Sequence, residues 1–182
     1  MEHFWKDIKG WATPAEQGVL LNTVLNQINF DRTLSIVEIG VYQGRCTALW
    51  NVELINSQID YEYFAIDHFR GSAEHSKNVD YFQLTINNLR PLLDKINIVQ
   101  KASIEASKLM PNEYFDIVYI DASHDYKSVK EDILHWLPKV RQGGVICGDD
   151  YSPRWLGVIR AVDETLGKVN RSGLRQWWKK KE

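Results

Sequence analysis

Phe115-Asp116-Ile117-Val118-Tyr119-Ile120-Asp121 and Gly144-Val145-Ile146-Cys147-Gly148-Asp149-Asp150 decide the fold. Each is an apolar run of strand length that stops on acid. A strand apolar on both faces belongs to a parallel sheet covered by helices on either side. In such open sheets ligands sit in the crevice beyond the carboxyl ends of neighbouring strands. If the two runs are neighbours, Asp121, Asp149 and Asp150 converge there, an oxygen-rich set suited to a hard divalent cation. His124, three residues past Asp121, is a candidate base because imidazole titrates near neutrality.

Outward from these runs the same alternation continues. Residues 34–39, 61–66 and 96–100 read as further strands. Helical patterns cover residues 14–28, begin again near Thr47, and recur over 79–93, 104–110, 126–137 and 157–166. Thr13-Pro14-Ala15-Glu16 has the form of a capping box with proline at the first helical position. Residues 167–180 read as a hairpin about Ser172-Gly173, with Trp177 and Trp178 on opposite faces of its second strand, one for the core and one for the surface. The expectation is an α/β, Rossmann-like, doubly wound, mostly parallel sheet with helices on both faces.

A chain of 182 residues suits a single domain, with residues 1–30 as an amino-terminal helical segment and 31–182 as the catalytic core. The net charge of -2 and a pI near 6.2 offer no general attraction to phosphate backbones, so no nucleic-acid partner is expected. The basic run Lys179-Lys180-Lys181 reads as solvated. Cys46 and Cys147 have no metal-type spacing and fit a reducing compartment. The start resembles no signal peptide and no run approaches the length of a membrane span, so the expectation is a cytoplasmic protein without a membrane partner. His3, His75 and His135 show no metal spacing and read as surface or helix residues. Trp5 and Trp11 could close the site or support a homo-oligomer, with packing on the first helix as the simpler expectation.

Glu38-Ile39-Gly40-Val41-Tyr42-Gln43-Gly44 sits at the turn after the first strand. The spacing is Glu-x-Gly-x-x-x-Gly, looser than the turn that brings a pyrophosphate to a helix N-terminus. An acid two residues before the first glycine repels phosphate and attracts an ammonium group. Asp67, ending the second strand, is placed to accept from ribose hydroxyls. Together they suit a cationic, phosphate-free nucleoside.

With Ala65-Ile66-Asp67 and Gly143-Gly144 added, these motifs resemble the class I S-adenosylmethionine-dependent methyltransferases. Within that class, residues 115–126, Gly148-Asp149-Asp150-Tyr151 and residues 157–163 are similar to a bacterial branch related to macrolide-sugar O-methyltransferases and cephalosporin hydroxylase-like proteins. The resemblance runs from about Thr13 to Trp178. It implies a seven-stranded sheet with an antiparallel last strand. It also implies that Glu38, Gly40 and Gly44 surround the methionine part of S-adenosylmethionine, that Asp67 takes its ribose, and that Ser103 lies near its adenine. His68 and Phe69 would line the same pocket, and Asp121 would serve both cofactor binding and catalysis.

The resemblance supports the same three acids as ligands of Mg²⁺ or Mn²⁺, although the second position is more often Glu or His than the Asp149 found here. An ion on the oxygen of a small hydroxylated acceptor would lower its pKa and fix its direction. Tyr151 and Arg154 are candidates for the acceptor wall, and Tyr126 for a cofactor contact or an anchor of its helix. Several alternatives stay open on sequence: acids that only cap turns, His124 as a loop-bonded or substrate-orienting residue, Ser103 as a helix N-cap, a metal-independent methyltransferase, an oxidoreductase on the same architecture, and a silent binding protein.

Overall fold

The computed structural model describes residues 1–29, 31–71, 76 and 78–182. A 3-10 turn at Phe4–Asp7 and a wide π turn at Pro14–Gly18 lead into α1 (Val19–Leu25). Then follow β1 (Leu34–Ile39), α2 (Arg45–Asn56), β2 (Tyr61–Asp67), α3 (Tyr81–Asn88), β3 (Ile96–Gln100), α4 (Ser103–Ser107), β4 (Phe115–Ile120), α5 (Tyr126–Trp136), β5 (Val140–Gly148), α6 (Leu156–Leu166), β6 (Asn170–Ser172) and β7 (Gln176–Lys180). His75, expected on the surface or a helix, lies outside the described residues.

One sheet holds all seven strands in the order β3-β2-β1-β4-β5-β7-β6. The first five are parallel, and β7 runs antiparallel to both β5 and β6. The antiparallel strand therefore lies inside the sheet and the three-residue β6 forms the edge. All six residues of β1 and of β4 are buried, as central parallel strands require.

Alternate residues feed two cores. Ile36, Ile117 and Tyr119 join Leu20, Trp50 and Tyr63 on one face. Val37, Val118 and Ile120 join Ile133, Trp136 and Val162 on the other. Trp177 is buried in the second core, but Trp178 packs half-buried on the first rather than facing solvent.

Three expectations need correction. The segment from Thr13 is a π turn before it is a helix. The Glu16 carboxylate, which a capping box would send back to the Thr13 amide, is drawn instead to Arg175, and the Thr13 hydroxyl donates to the Glu16 side chain at 3.2 Å. The helix expected over 79–93 is shorter: Asp80 caps it, its Oδ1 accepting from the Gln83 amide at 3.0 Å, and Pro91 confines the remainder to a 3-10 turn. The terminal lysines are not all free in solvent: Lys179 and Lys180 lie in β7, where Lys180 stays exposed while its ammonium donates to the Gln27 carbonyl at 2.7 Å, and the half-buried Lys181 just beyond donates to that of Val140 at 2.7 Å. Among the described residues no helix is long and apolar enough to cross a membrane.

Candidate active site

Register brings the expected residues to one end of the sheet. Ile120 of β4 pairs with Ile39 of β1 and Gly148 of β5, so Asp121 and Asp149 leave their strands at the same level. The Asp121 amide donates to the Ile39 carbonyl at 2.8 Å and the Asp149 amide to the Ile120 carbonyl at 3.2 Å. Three non-glycine residues beyond these carboxyl ends adopt left-handed backbone: Tyr42 (φ 54°), Phe69 (φ 54°) and Asp150 (φ 63°). Such torsions cost of order 1 kcal/mol or more each and gather where a loop serves a site.

At the β1 end, Glu38 is fully buried. Its Oε2 accepts from the Thr47 hydroxyl at 2.5 Å and the Tyr63 hydroxyl at 2.9 Å, and Oε1 has no hydrogen-bond partner. Burial pushes this carboxyl up to about 7, while the Thr47 and Tyr63 bonds pull it down in part. Asp67 organises the neighbouring loop. Its Oδ2 accepts from the Val41 and Tyr42 amides, each at 2.9 Å, and Oδ1 from the Phe69 amide at 2.7 Å. A carboxylate accepts about four bonds, so Asp67 keeps capacity for a hydroxyl.

Gly40 (φ 93°) lies so close to β4 that a Cβ there would stand 2.2 Å from the Asp121 carbonyl oxygen. His68 is half-exposed beside Asp67, its Nδ1 accepting from the Arg70 amide at 2.9 Å. Phe69 is buried against Phe82. Gly44 starts α2 with φ 87° and packs on Leu89. Ser103 is inside α4 rather than its N-cap: its hydroxyl donates to Asp132 at 2.5 Å and accepts from the Trp136 indole at 2.8 Å.

At the β4 and β5 ends the acids meet as expected, but each already has protein partners. Asp121 Oδ2 accepts from the Tyr119 hydroxyl at 2.9 Å. Asp149 Oδ2 accepts from the Gln17 amide at 2.7 Å. Its Oδ1 accepts from the Asp150 backbone amide at 2.6 Å and Gln176 at 3.3 Å, and pairs in charge with the Arg175 Nε 3.3 Å away. Asp150 splits its oxygens, Oδ1 to Arg175 Nη1 at 3.3 Å and Oδ2 to His124 Nε2 at 2.7 Å.

The His124 ring is stacked on Trp155 with centroids 4.1 Å apart and planes 19° from parallel. Burial, then the charges of Asp149 and Asp150, drives the Asp121 carboxyl well above the usual range, and burial raises Asp149 against the pull of Arg175. The cavity that Asp121, His124, Asp149 and Asp150 border is about 10 Å³, room for one water.

Two ligand types can be tested on these groups. A cationic nucleoside fits: Glu38 offers a buried carboxylate oxygen without a partner to an ammonium, and Asp67 offers an acceptor at the end of the adjacent strand. A divalent ion does not fit this arrangement. Both oxygens of Asp149 and of Asp150 and one of Asp121 are already engaged by Arg175, two glutamine amides, His124 and Tyr119, and among the described residues no three His, Cys, Asp or Glu side chains form a group able to hold a metal.

Sequence reasoning missed Gln17, Tyr119, Trp155, Arg175 and Gln176. Tyr119 had a signal, a hydroxyl two residues before Asp121 at the end of a buried strand, and so did Gln17, a polar residue within the segment read as an amphipathic helix. Arg175 had none, since only the hairpin's return brings it to β5. Tyr126 anchors helices: its hydroxyl donates to Glu164 at 2.5 Å across α5 and α6. Tyr151 bonds Asp163 at 2.8 Å, and the Arg154 guanidinium lies over the Trp155 ring at 5.2 Å.

Residues 37–151, well over half the chain, match a family described as a methyltransferase domain. A curated relative, caffeoyl-CoA O-methyltransferase of Populus kitakamiensis, is 28% identical over 165 residues, covering 87% of this chain and 63% of that protein. The chain thus spans less than two thirds of that relative's length. Among solved structures, the O-methyltransferase NovP superposes with a TM-score of 0.68 at 18% identity over 91% of this chain and 77% of that one. The apo form of CalS11, a TDP-rhamnose 3'-O-methyltransferase of calicheamicin biosynthesis, gives 0.62 at 14% over 88% and 76%. Cofactor-bound Rv0187 from MTB gives 0.66 at 15% over 96% and 84%. At these identities the structural likenesses establish a shared fold.

Proposed function

The chain belongs to the methyltransferase-domain family, and on that premise we propose that it transfers the methyl group of S-adenosylmethionine to an oxygen of a small hydroxylated acceptor. The observation that carries the proposal is the His124–Asp150 pair at the carboxyl ends of β4 and β5, level with Glu38 and Asp67 in the cofactor half of the crevice. The names of the curated relative and of two of the similar structures, all O-methyltransferases, support oxygen as the acceptor atom.

S-adenosylmethionine supplies an activated methyl group, which leaves the protein to bind, orient and manage one proton. Glu38 would receive the ammonium group, Asp67 the ribose hydroxyls, and the backbone about Gly40 and Gly44 the methionine part. His68 stands on the loop after β2 and Ser103 at the start of α4, and Asp121 would serve the acceptor side. A neutral His124 that donates from Nε2 to Asp150 carries its basic lone pair on Nδ1, the atom at which an acceptor hydroxyl would leave its proton. Trp155 fixes the ring plane and Asp150 fixes the tautomer, the orientation logic of a base held by a third group.

Mg²⁺ or Mn²⁺ assistance through Asp121, Asp149 and Asp150 is the other route. The prior engagement of those oxygens by Arg175, Gln17 and Gln176 favours the route without an ion. The net charge of -2 supports a small molecule over nucleic acid as acceptor.

Calorimetry with S-adenosylmethionine, followed by assay of S-adenosylhomocysteine release with a panel of sugars and phenols, tests the function. Binding with turnover of a hydroxylated acceptor is expected. NADH binding in place of S-adenosylmethionine would move the chain to the oxidoreductases.

A further inference from the structure

The acid cluster contains its own cation. Arg175 follows the turn at Gly173 and Leu174 and is three-quarters buried between three carboxylates. Its Nε lies 3.1 Å from Glu16 Oε1 and 3.3 Å from Asp149 Oδ1, Nη1 lies 3.3 Å from Asp150 Oδ1, and Nη2 lies 3.3 Å from Glu16 Oε2. The guanidinium thereby ties three parts of the fold at one point: the Pro14–Gly18 turn, the end of β5 and the start of β7. Gln17 and Gln176, neighbours in sequence of the Glu16 and Arg175 pair, donate to Asp149 on either side.

Adjacent carboxylates this buried repel one another unless a positive charge stands among them. A planar fork with fixed donors both neutralises and orients carboxylates, which a flexible ammonium does less well. Asp150 has only two oxygens, and Arg175 holds the one that His124 does not.

We propose that Arg175 is a positioning residue that does for this site what a divalent ion would otherwise do: it neutralises the acids at the end of β5 and turns Asp150 toward His124. The idea rests on the methyltransferase reading for its purpose, but its structural content concerns only the acids, the guanidinium and the imidazole. The cation is permanent and needs no loading. The amino-terminal turn is part of the site because Glu16 supplies the other half of the guanidinium's clamp.

The test uses Mn²⁺ alone as probe and the full chain. Wild-type protein titrated into Mn²⁺ should leave the free-ion electron paramagnetic resonance signal undiminished. With ¹⁵N-labelled histidine, assigned by His124→Gln, wild type should show the His124 Nε2 proton in a strong hydrogen bond. Arg175→Met should lose that signature and Arg175→Lys should retain it in part. Stoichiometric Mn²⁺ uptake by wild type would overturn the proposal, as would an unchanged His124 signature in folded Arg175→Met. If Arg175→Met does not fold, the wild-type Mn²⁺ titration and the Lys variant still decide. Calorimetry with S-adenosylmethionine on the same samples separates this outcome from the functional one. Failure to bind it would sink the methyltransferase reading while the Mn²⁺ and histidine results still judge Arg175.

Discussion

Glu38→Gln should change how stability depends on pH. Glu38 is fully buried, and its carboxyl rises from an ordinary 4.5 to about 7, with loss of solvent as the largest cause. A carboxyl that holds its proton more tightly when folded makes the folded chain the greater proton binder between those values, so stability falls as pH climbs through them. Each pH decade in that interval costs about 1.4 kcal/mol, and the loss approaches about 3 kcal/mol once both states are ionised.

Glutamine is neutral at every pH and can still accept from Thr47 and Tyr63. Other buried acids, Asp121, Asp132 and Asp149, titrate in both proteins and largely cancel in the difference between them. The variant should therefore gain about 3 kcal/mol relative to wild type on going from about pH 4 to about pH 8, whatever its fixed offset. For a chain of this size that corresponds to a relative shift in Tm of roughly 6–12 °C. Thermal or urea unfolding of both proteins across that range measures it. Parallel stability curves would show that Glu38 is ionised and adequately solvated in the folded chain, and would refute the argument.

Other outcomes follow from the same geometry. Asp150→Asn replaces the acceptor that fixes the His124 tautomer and should lower kcat by about 100-fold or more with little effect on S-adenosylmethionine binding, read by turnover and calorimetry. Gln17→Ala strips a donor from both Asp149 and the Tyr119 hydroxyl and should destabilise by about 1–3 kcal/mol in urea unfolding; no change would mean water replaces the amide without loss. Gly40→Ala places a methyl 2.2 Å from the Asp121 carbonyl at a φ of 93°, so the end of β1 must move, and a loss above about 3 kcal/mol is expected, with a wild-type melting curve as the contrary result.

The sheet and the end of it where a site would lie are legible in the residues alone. Residues 34–39 and 115–120 are strands because their apolar runs can be buried only with helices on both faces, and the acids near their ends, Glu38 and Asp121, mark the carboxyl end of a parallel sheet. Glu38, Asp67, Asp121, Asp149 and Asp150 were legible as candidate site residues because a polar group at the end of an apolar strand has no role in the core, and His124 because it follows Asp121 closely. The partners of those groups were not legible. Whether these acids face a metal, a backbone amide or an imidazole depends on which donors arrive from distant segments: Gln17 and Gln176 reach Asp149 from 132 and 27 positions away, and Arg175 reaches Asp150 from 25. Contacts between distant segments settle that Glu16 leaves its capping box for Arg175, that β7 lies inside the sheet, and that Asp150 joins His124. Local propensity is worth about 1 kcal/mol per residue or less, whereas ion pairs and burial made across the fold outweigh it.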